Sequence, residues 1–306
     1  MRWAALTALA MTAFAGNSLL CRLALQHTAI DPASFTAVRL VSGALVLWAL
    51  VQWREALAAQ ANAAASGSPV ELGASMAPGA SMHPAAKLAG SWSSAAALFV
   101  YAAAFSYAYL SLSAGTGALL LFGAVQATML GWGLWRGQRL RLCQTAGLVL
   151  AMGGLVALLW PGVTAPPAVG ALLMLAAGVA WGVYSLRGRG AGDPTAVTAG
   201  NFVRAAVLAV PLVLAALPWA QVDAAGLLWA LCSGAVTSGL GYAVWYTALK
   251  GLHPTSSASV QLSVPVLTAL GGVAFLSEPL TLHLTLCSAA ILGGIAWVIA
   301  GQHTGK

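Results

Sequence analysis

Three amides and three guanidinium groups lie where polar side chains are costly. Asn17, Gln126 and Gln261 each fall near the middle of a long apolar run. An amide at such depth can donate and accept hydrogen bonds to an amino-acid-like ligand, and it can equally join one helix to another in lipid. Arg22, Arg39 and Arg204 also lie within apolar runs. Arg39 follows Pro32 by seven residues, roughly 10 Å into its run at about 1.5 Å per residue. A guanidinium so placed either meets a substrate carboxylate or bonds to carbonyls and neighbours inside a bundle. Tyr107, Trp181, Tyr184 and Tyr242, with Trp245 and Tyr246, supply aromatic surface that can wall an amphipathic ligand. Trp3, Trp48, Trp53 and Trp135, near run ends, suit interfacial anchors instead.

Other chemistries find no residues. There is no H-E-x-x-H, no paired carboxylates and no histidine deep within a run, so an intramembrane enzyme is not expected. The four cysteines are far apart, with no C-x-x-C, which fits packing rather than disulfides or zinc. Met76, Met82 and His83 make too weak a soft-metal set to expect a metal site, and no cofactor is implied. Of the six acidic residues none is at mid-run; Asp31, Asp223 and Glu278 are all at run ends. Exchange of a small cation for a proton relies on a buried carboxylate, so a neutral or zwitterionic substrate fits better than a quaternary ammonium ion.

The elements that must position these groups follow from composition. Of 306 residues 60% are hydrophobic and only 6% charged, with mean hydropathy +0.87, whereas a soluble domain carries about 25% charge. A bilayer core about 30 Å thick needs roughly 20 apolar residues per helix. Runs of that size occur near 4–27, 32–53, 93–111, 114–135, 142–161, 168–187, 195–217, 224–249, 255–276 and 282–301, which predicts an all-α integral membrane protein with ten transmembrane helices. If the N-terminus is cytoplasmic, ten of the 13 Lys and Arg residues fall in inside segments and the other three are Arg22, Arg39 and Arg204. That positive-inside bias places both termini in the cytoplasm, and gives the +7 formal charge a role that needs no nucleic acid. Residues 54–92, rich in Ala, Ser, Gly and Pro, read as a disordered cytoplasmic linker between helices 2 and 3.

The chain repeats itself. Sliding it by 165 residues places Arg22 on Arg187 and Arg39 on Arg204, with Asp31-Pro32 and Asp193-Pro194 nearly in register. Sliding by 140 places 137–159 on 277–299, with Gly153-Gly154 on Gly293-Gly294. Two five-helix units result, 1–161 and 162–306. Because five is odd, the units enter the membrane from opposite sides, the inverted plan by which secondary transporters alternate access around a midplane site. The apolar N-terminal run imitates a signal peptide, but it aligns with 169–187 in mid-chain and is expected to be a retained first helix.

In this order of features the chain resembles the drug/metabolite transporter superfamily, specifically its EamA-type members. The resemblance rests on the five-plus-five plan, the late arginine in the first helix of each half, the D-P then Arg opening of the second, and the G-Q-R-L and S-E-P-L-T segments before helices 5 and 10. It implies a carrier of a bacterial-type inner membrane, frequently an exporter of amino acids or other small metabolites, with a cavity lined mainly by helices 1, 3, 4, 6, 8 and 9. Gly16-Asn17 replaces the family's frequent W-G, which Trp181-Gly182 keeps, and Val125-Gln126 replaces a frequent Pro, which Pro265 keeps. Multidrug efflux is the competing transport reading, favoured by the aromatic content and weakened by the missing carboxylate. A passive scaffold leaves the three amides unexplained as a set. The expected partners are a small-molecule substrate and the lipid bilayer, in a monomer or homodimer, since the Gly-Gly pairs permit close packing within one chain or between two.

Overall fold

The computed structural model describes residues 2–65, 89–137, 141–160, 165–188, 192–249, 251 and 260–300. Among the described residues there are ten helices and no strand. They are α1 (Arg2–His27), α2 (Pro32–Ala65), α3 (Trp92–Ala108), α4 (Ala114–Trp135), α5 (Leu142–Leu159), α6 (Ala168–Arg187), α7 (Pro194–Ala216), α8 (Ala224–Leu249), α9 (Ser263–Leu276) and α10 (Leu282–Ala300). Eight of them are long and apolar enough to cross a bilayer; α9, with 14 residues, is shorter. Large apolar side chains such as Leu45, Leu172, Leu214, Leu270 and Leu286 stand exposed on the outside, as expected of a surface whose solvent is hydrocarbon.

The repeated D-P pairs are helix starts. Asp31 accepts hydrogen bonds from the backbone N–H groups of Ala33 and Ser34, both at 2.9 Å, and Asp193 from that of Thr195 at 2.9 Å. Each satisfies donors left over at a helix N-terminus, and the proline that follows occupies a first-turn position where no N–H is needed.

Helix pairing repeats on exchange of α1–α5 with α6–α10. α1 packs on α8 and α9, as α6 packs on α3 and α4; α2 meets α8, as α7 meets α3; and α2 with α7, α4 with α9 and α5 with α10 pair across the exchange. The protein is thus built of two inverted five-helix repeats, interlocked rather than side by side. The α5 and α10 backbones approach closely. A Cβ added at Gly294 would lie 2.4 Å from the Gly147 carbonyl oxygen and 2.6 Å from the Ala151 nitrogen, whereas one at Gly293 would meet nothing within 4 Å. Of the two Gly-Gly pairs, Gly154 and Gly294 therefore face the intrachain seam, while Gly153 and Gly293 face open space.

One expectation needs correction. Residues 54–65 belong to α2, a helix of 34 residues, and do not form linker. Their Ala-rich sequence has high intrinsic helix propensity and needs no tertiary partner to stay helical, and residues 52–62 are indeed exposed. Residues 66–88, which hold Met76, Met82 and His83, lie outside the described residues. In the predicted ninth span, Val260 and Gln261 are helical, Leu262 is a turn and α9 runs on from Ser263, while 252–259 lie outside the described residues.

Replacing Gly294 with Val should lower stability by about 2 kcal/mol through overpacking, read as a fall in the thermal midpoint in detergent. Gly293→Val should leave that midpoint nearly unchanged.

Candidate functional site

The two ends of the bundle differ in charge. One carries Asp31, Asp223 and Glu278 at helix ends; the other carries Arg2, Arg54, Arg136, Arg141 and Arg187. These are called the acidic and the basic face below. A cavity of about 780 Å³ lies between the repeats, within the usual size range of small-molecule sites. Its wall reaches Gly188, Pro194 and Leu249 at the basic face, and Asn17, Ser18, Phe105 and Thr237 at its deep end. Helices α1, α3, α4, α6 and α8 line it as the family resemblance implied, but α5 and α10 contribute as well, while α9 is represented by Gln261 just before its start. The intimate α5–α10 seam explains this, for it brings Ala151, Leu155, Ile291 and Ile295 inward as one wall.

Of the predicted site residues, Asn17, Gln126, Trp181, Tyr184, Tyr242 and Gln261 all line this cavity, and Tyr107 does not. Tyr107 stands one residue before the end of α3; Tyr101, at the middle of that helix, is the tyrosine in the wall. Counting depth along α3 would have preferred Tyr101. Trp181 is the hub of the aromatic wall. Its ring is stacked on Tyr184 at 5.4 Å between centroids and tilted against Tyr101 at 4.9 Å and Tyr242 at 5.3 Å. Phe14 closes the group with edge contacts to Tyr242 and Trp245. Such clusters bury large apolar surface while leaving π faces toward a ligand. Gln126 projects into the same space with no protein hydrogen-bond partner among the described residues, so its amide is available to a ligand.

The deep end is polar and cross-linked. Asn17 donates through Nδ2 to the Tyr101 hydroxyl at 3.3 Å and accepts at Oδ1 from the Ser233 hydroxyl at 2.8 Å. Ser233 opens a π-helical segment, Ser233–Leu240, within α8. Residues five apart diverge on an ordinary helix at about 100° per residue; wider π turns bring them toward one face. Here that aims Ser233 at Asn17 and Ser238 at Arg39.

The three embedded arginines have three different fates. Arg22 forms an ion pair with Glu278, Nε to Oε1 at 3.0 Å, and donates through Nη1 to the Tyr109 carbonyl at 2.8 Å. Glu278 uses its other oxygen to accept from the Ala114 N–H at 2.8 Å, at the start of α4. Ser277, left-handed at φ 53°, ends α9 and turns the chain so that the Glu278 N–H bonds back to the Gly272 carbonyl at 3.1 Å. This latch ties α1, α3, α4 and α9 together beyond the cavity's deep end. Arg204 caps backbone instead, donating to the carbonyls of Ala89 at 2.8 Å and Gly200 at 3.0 Å with its guanidinium 5.9 Å from the Trp92 ring. Arg39 is the third. It is 1% exposed, bonds through Nε to the Ser238 hydroxyl at 3.2 Å and through Nη2 to the Tyr101 hydroxyl at 3.0 Å, and lies over the rings of Tyr101 and Phe105.

Comparison with known proteins settles the family. The EamA-like transporter family model matches residues 168–300, the half that keeps Trp181-Gly182 and Pro265. The chain belongs to this family. An uncharacterized protein of Pseudomonas aeruginosa is 56% identical over 295 residues, covering 96% of this chain and 93% of that protein. A solved crystal structure superposes with a TM-score of 0.61 at 21% identity, over 96% of this chain and 97% of that one, which establishes the fold and no more. The chain is accordingly a multi-pass membrane protein of a transporter family.

For this transporter the latch matters more than the surface pair of Arg54 and Asp193, which is nearly half exposed at 3.4 Å and so worth little. Glu278→Ala should cost about 2 kcal/mol or more by stranding Arg22 and the α4 N-terminus. Arg54→Gln should change stability by less than about 0.5 kcal/mol. Thermal unfolding in detergent compares the two.

Proposed function

We propose that this protein is a secondary carrier of a bacterial-type inner membrane, with both termini cytoplasmic, that exports amino acids or similar neutral or zwitterionic metabolites by alternating access. The observation that carries the reading is the cavity between the repeats, lined from its deep end to the basic face, with the Arg22–Glu278 latch lying beyond that end. With the basic face cytoplasmic, this is a form that loads from the cytoplasm. Release to the other side then requires the latch to part while the units 1–161 and 162–306 rock against each other.

The lining supports the substrate class. Asn17 and Gln126 offer amide donors and acceptors, the aromatic cluster offers a surface for an apolar side chain, and no Asp or Glu is among the lining residues. A cationic drug would find π faces but no counter-charge, which is why multidrug efflux stands second.

Proteoliposomes loaded with one amino acid should show counterflow of a labelled one, and little accumulation of cationic dyes; dyes that flow while amino acids do not would reverse the ranking. Gln126→Ala should raise the KM for transport about ten-fold, the worth of one hydrogen bond to a charged group, with little change in protein stability. An unchanged KM removes Gln126 from the site.

A further inference from the structure

Among the described residues Arg39 has no counter-ion. The salt bridges among them are Arg22 with Glu278 and Arg54 with Asp193, and the Nη1 of Arg39 is buried without a hydrogen-bond partner. A charged group in hydrocarbon is normally paired or given up. Here it is held only by two hydroxyls and two aromatic faces. Its repeat mate Arg204 spends its guanidinium on backbone carbonyls, so helix capping does not account for Arg39.

The hydrogen bonds around Tyr101 say where the missing negative charge belongs. Its phenol oxygen receives two donors, Nη2 of Arg39 at 3.0 Å and Nδ2 of Asn17 at 3.3 Å. With both acceptor positions engaged, the hydroxyl's own proton is left to donate, and no acceptor for it exists among the described residues. Tyr101 itself lines the cavity, next to Asn17, Ser18 and Thr237. A phenol that accepts from a guanidinium is a stronger donor than a free one, because each bond in such a chain polarises the next. Arg39 therefore projects its charge into the cavity through Tyr101 without lining it.

We propose that the deep end of the cavity is an anion subsite, in which the Tyr101 hydroxyl, backed by Arg39 and flanked by Asn17, receives the carboxylate of the substrate. The inference rests on the carrier reading and narrows it: the substrate carries a carboxylate, bound deep, with the remainder against Trp181, Tyr184 and Tyr242 toward the basic face. Tyr101 binds directly and Arg39 is a positioning residue.

The test compares counterflow of aromatic and aliphatic L-amino acids with that of their carboxamides, in proteoliposomes of the wild type, Tyr101→Phe and Arg39→Lys. Tyr101→Phe keeps the ring that contacts Trp181 and Phe105 and removes only the hydroxyl. The wild type should favour each acid over its amide by about ten-fold or more, the worth of a charge-assisted hydrogen bond. Tyr101→Phe should remove most of that preference by raising the KM for the acids while leaving the amides alone. Arg39→Lys, which keeps the charge but loses the forked donor, should fall between the two. Amides and acids carried equally well, or a preference that survives in Tyr101→Phe, would overturn the anion subsite and leave the carrier reading standing. Absence of counterflow for every compound would overturn both.

Discussion

A guanidinium buried without a carboxylate is the constraint around which this bundle is arranged. Taking Arg39 out of water is costly by several kcal/mol even after relaxation, and the structure offsets the cost with neutral groups brought from two other helices. Ser238 comes from the π segment of α8, Tyr101 and Phe105 come from α3, and the ring faces supply cation–π attraction. For α8 to come so near, its backbone must touch α2: a Cβ at Gly234 would lie 2.2 Å from the carbonyl oxygen of Arg39 and 1.9 Å from the Ser42 hydroxyl. The absence of a side chain at Gly234 and the π turn that redirects Ser233 and Ser238 are thus two parts of one solution.

The same network forms the floor of the cavity. Asn17 reaches α3 through Tyr101 and α8 through Ser233, so the first helix of one repeat is bonded to the third of both. A change at any of these groups is felt by the others, because a buried polar network leaves unsatisfied members when one is removed. Beyond the floor the latch of Arg22 and Glu278 joins helices by paired charge. Its two side chains are only about one-seventh exposed, enough shielding to make the pair firm and enough water nearby to let it part. The ion pair and the floor share no residue.

Several sequence readings correspond to physical features of the fold. Asp31-Pro32 and Asp193-Pro194 recur because both start a second helix of a repeat, with the carboxylate on free N–H groups and the proline where none is needed. Tryptophans assigned to run ends, such as Trp48, Trp53 and Trp135, stand exposed there. Other readings failed for identifiable reasons. Residues 54–65 look like linker by their lack of large apolar groups, yet alanine alone suffices for helix. Tyr107 shares its residue type with Tyr101 but stands at the helix end, beyond reach of the cavity.

Hydropathy and charge along the chain determine position along one axis, the depth of each residue in its span. From that follow the ten helices, the inverted repeat and the depth of Arg22, Arg39 and Arg204 in their spans, since 1.5 Å of rise per residue and the cost of charge in hydrocarbon are local properties. Rotation about each helix axis is not local. It is set by the ridges and close approaches of the other nine helices, as at Gly234 and Gly294. Only that packing decided that Arg22 would find Glu278, that Arg204 would find a carbonyl, and that Arg39 would find a tyrosine and no acid.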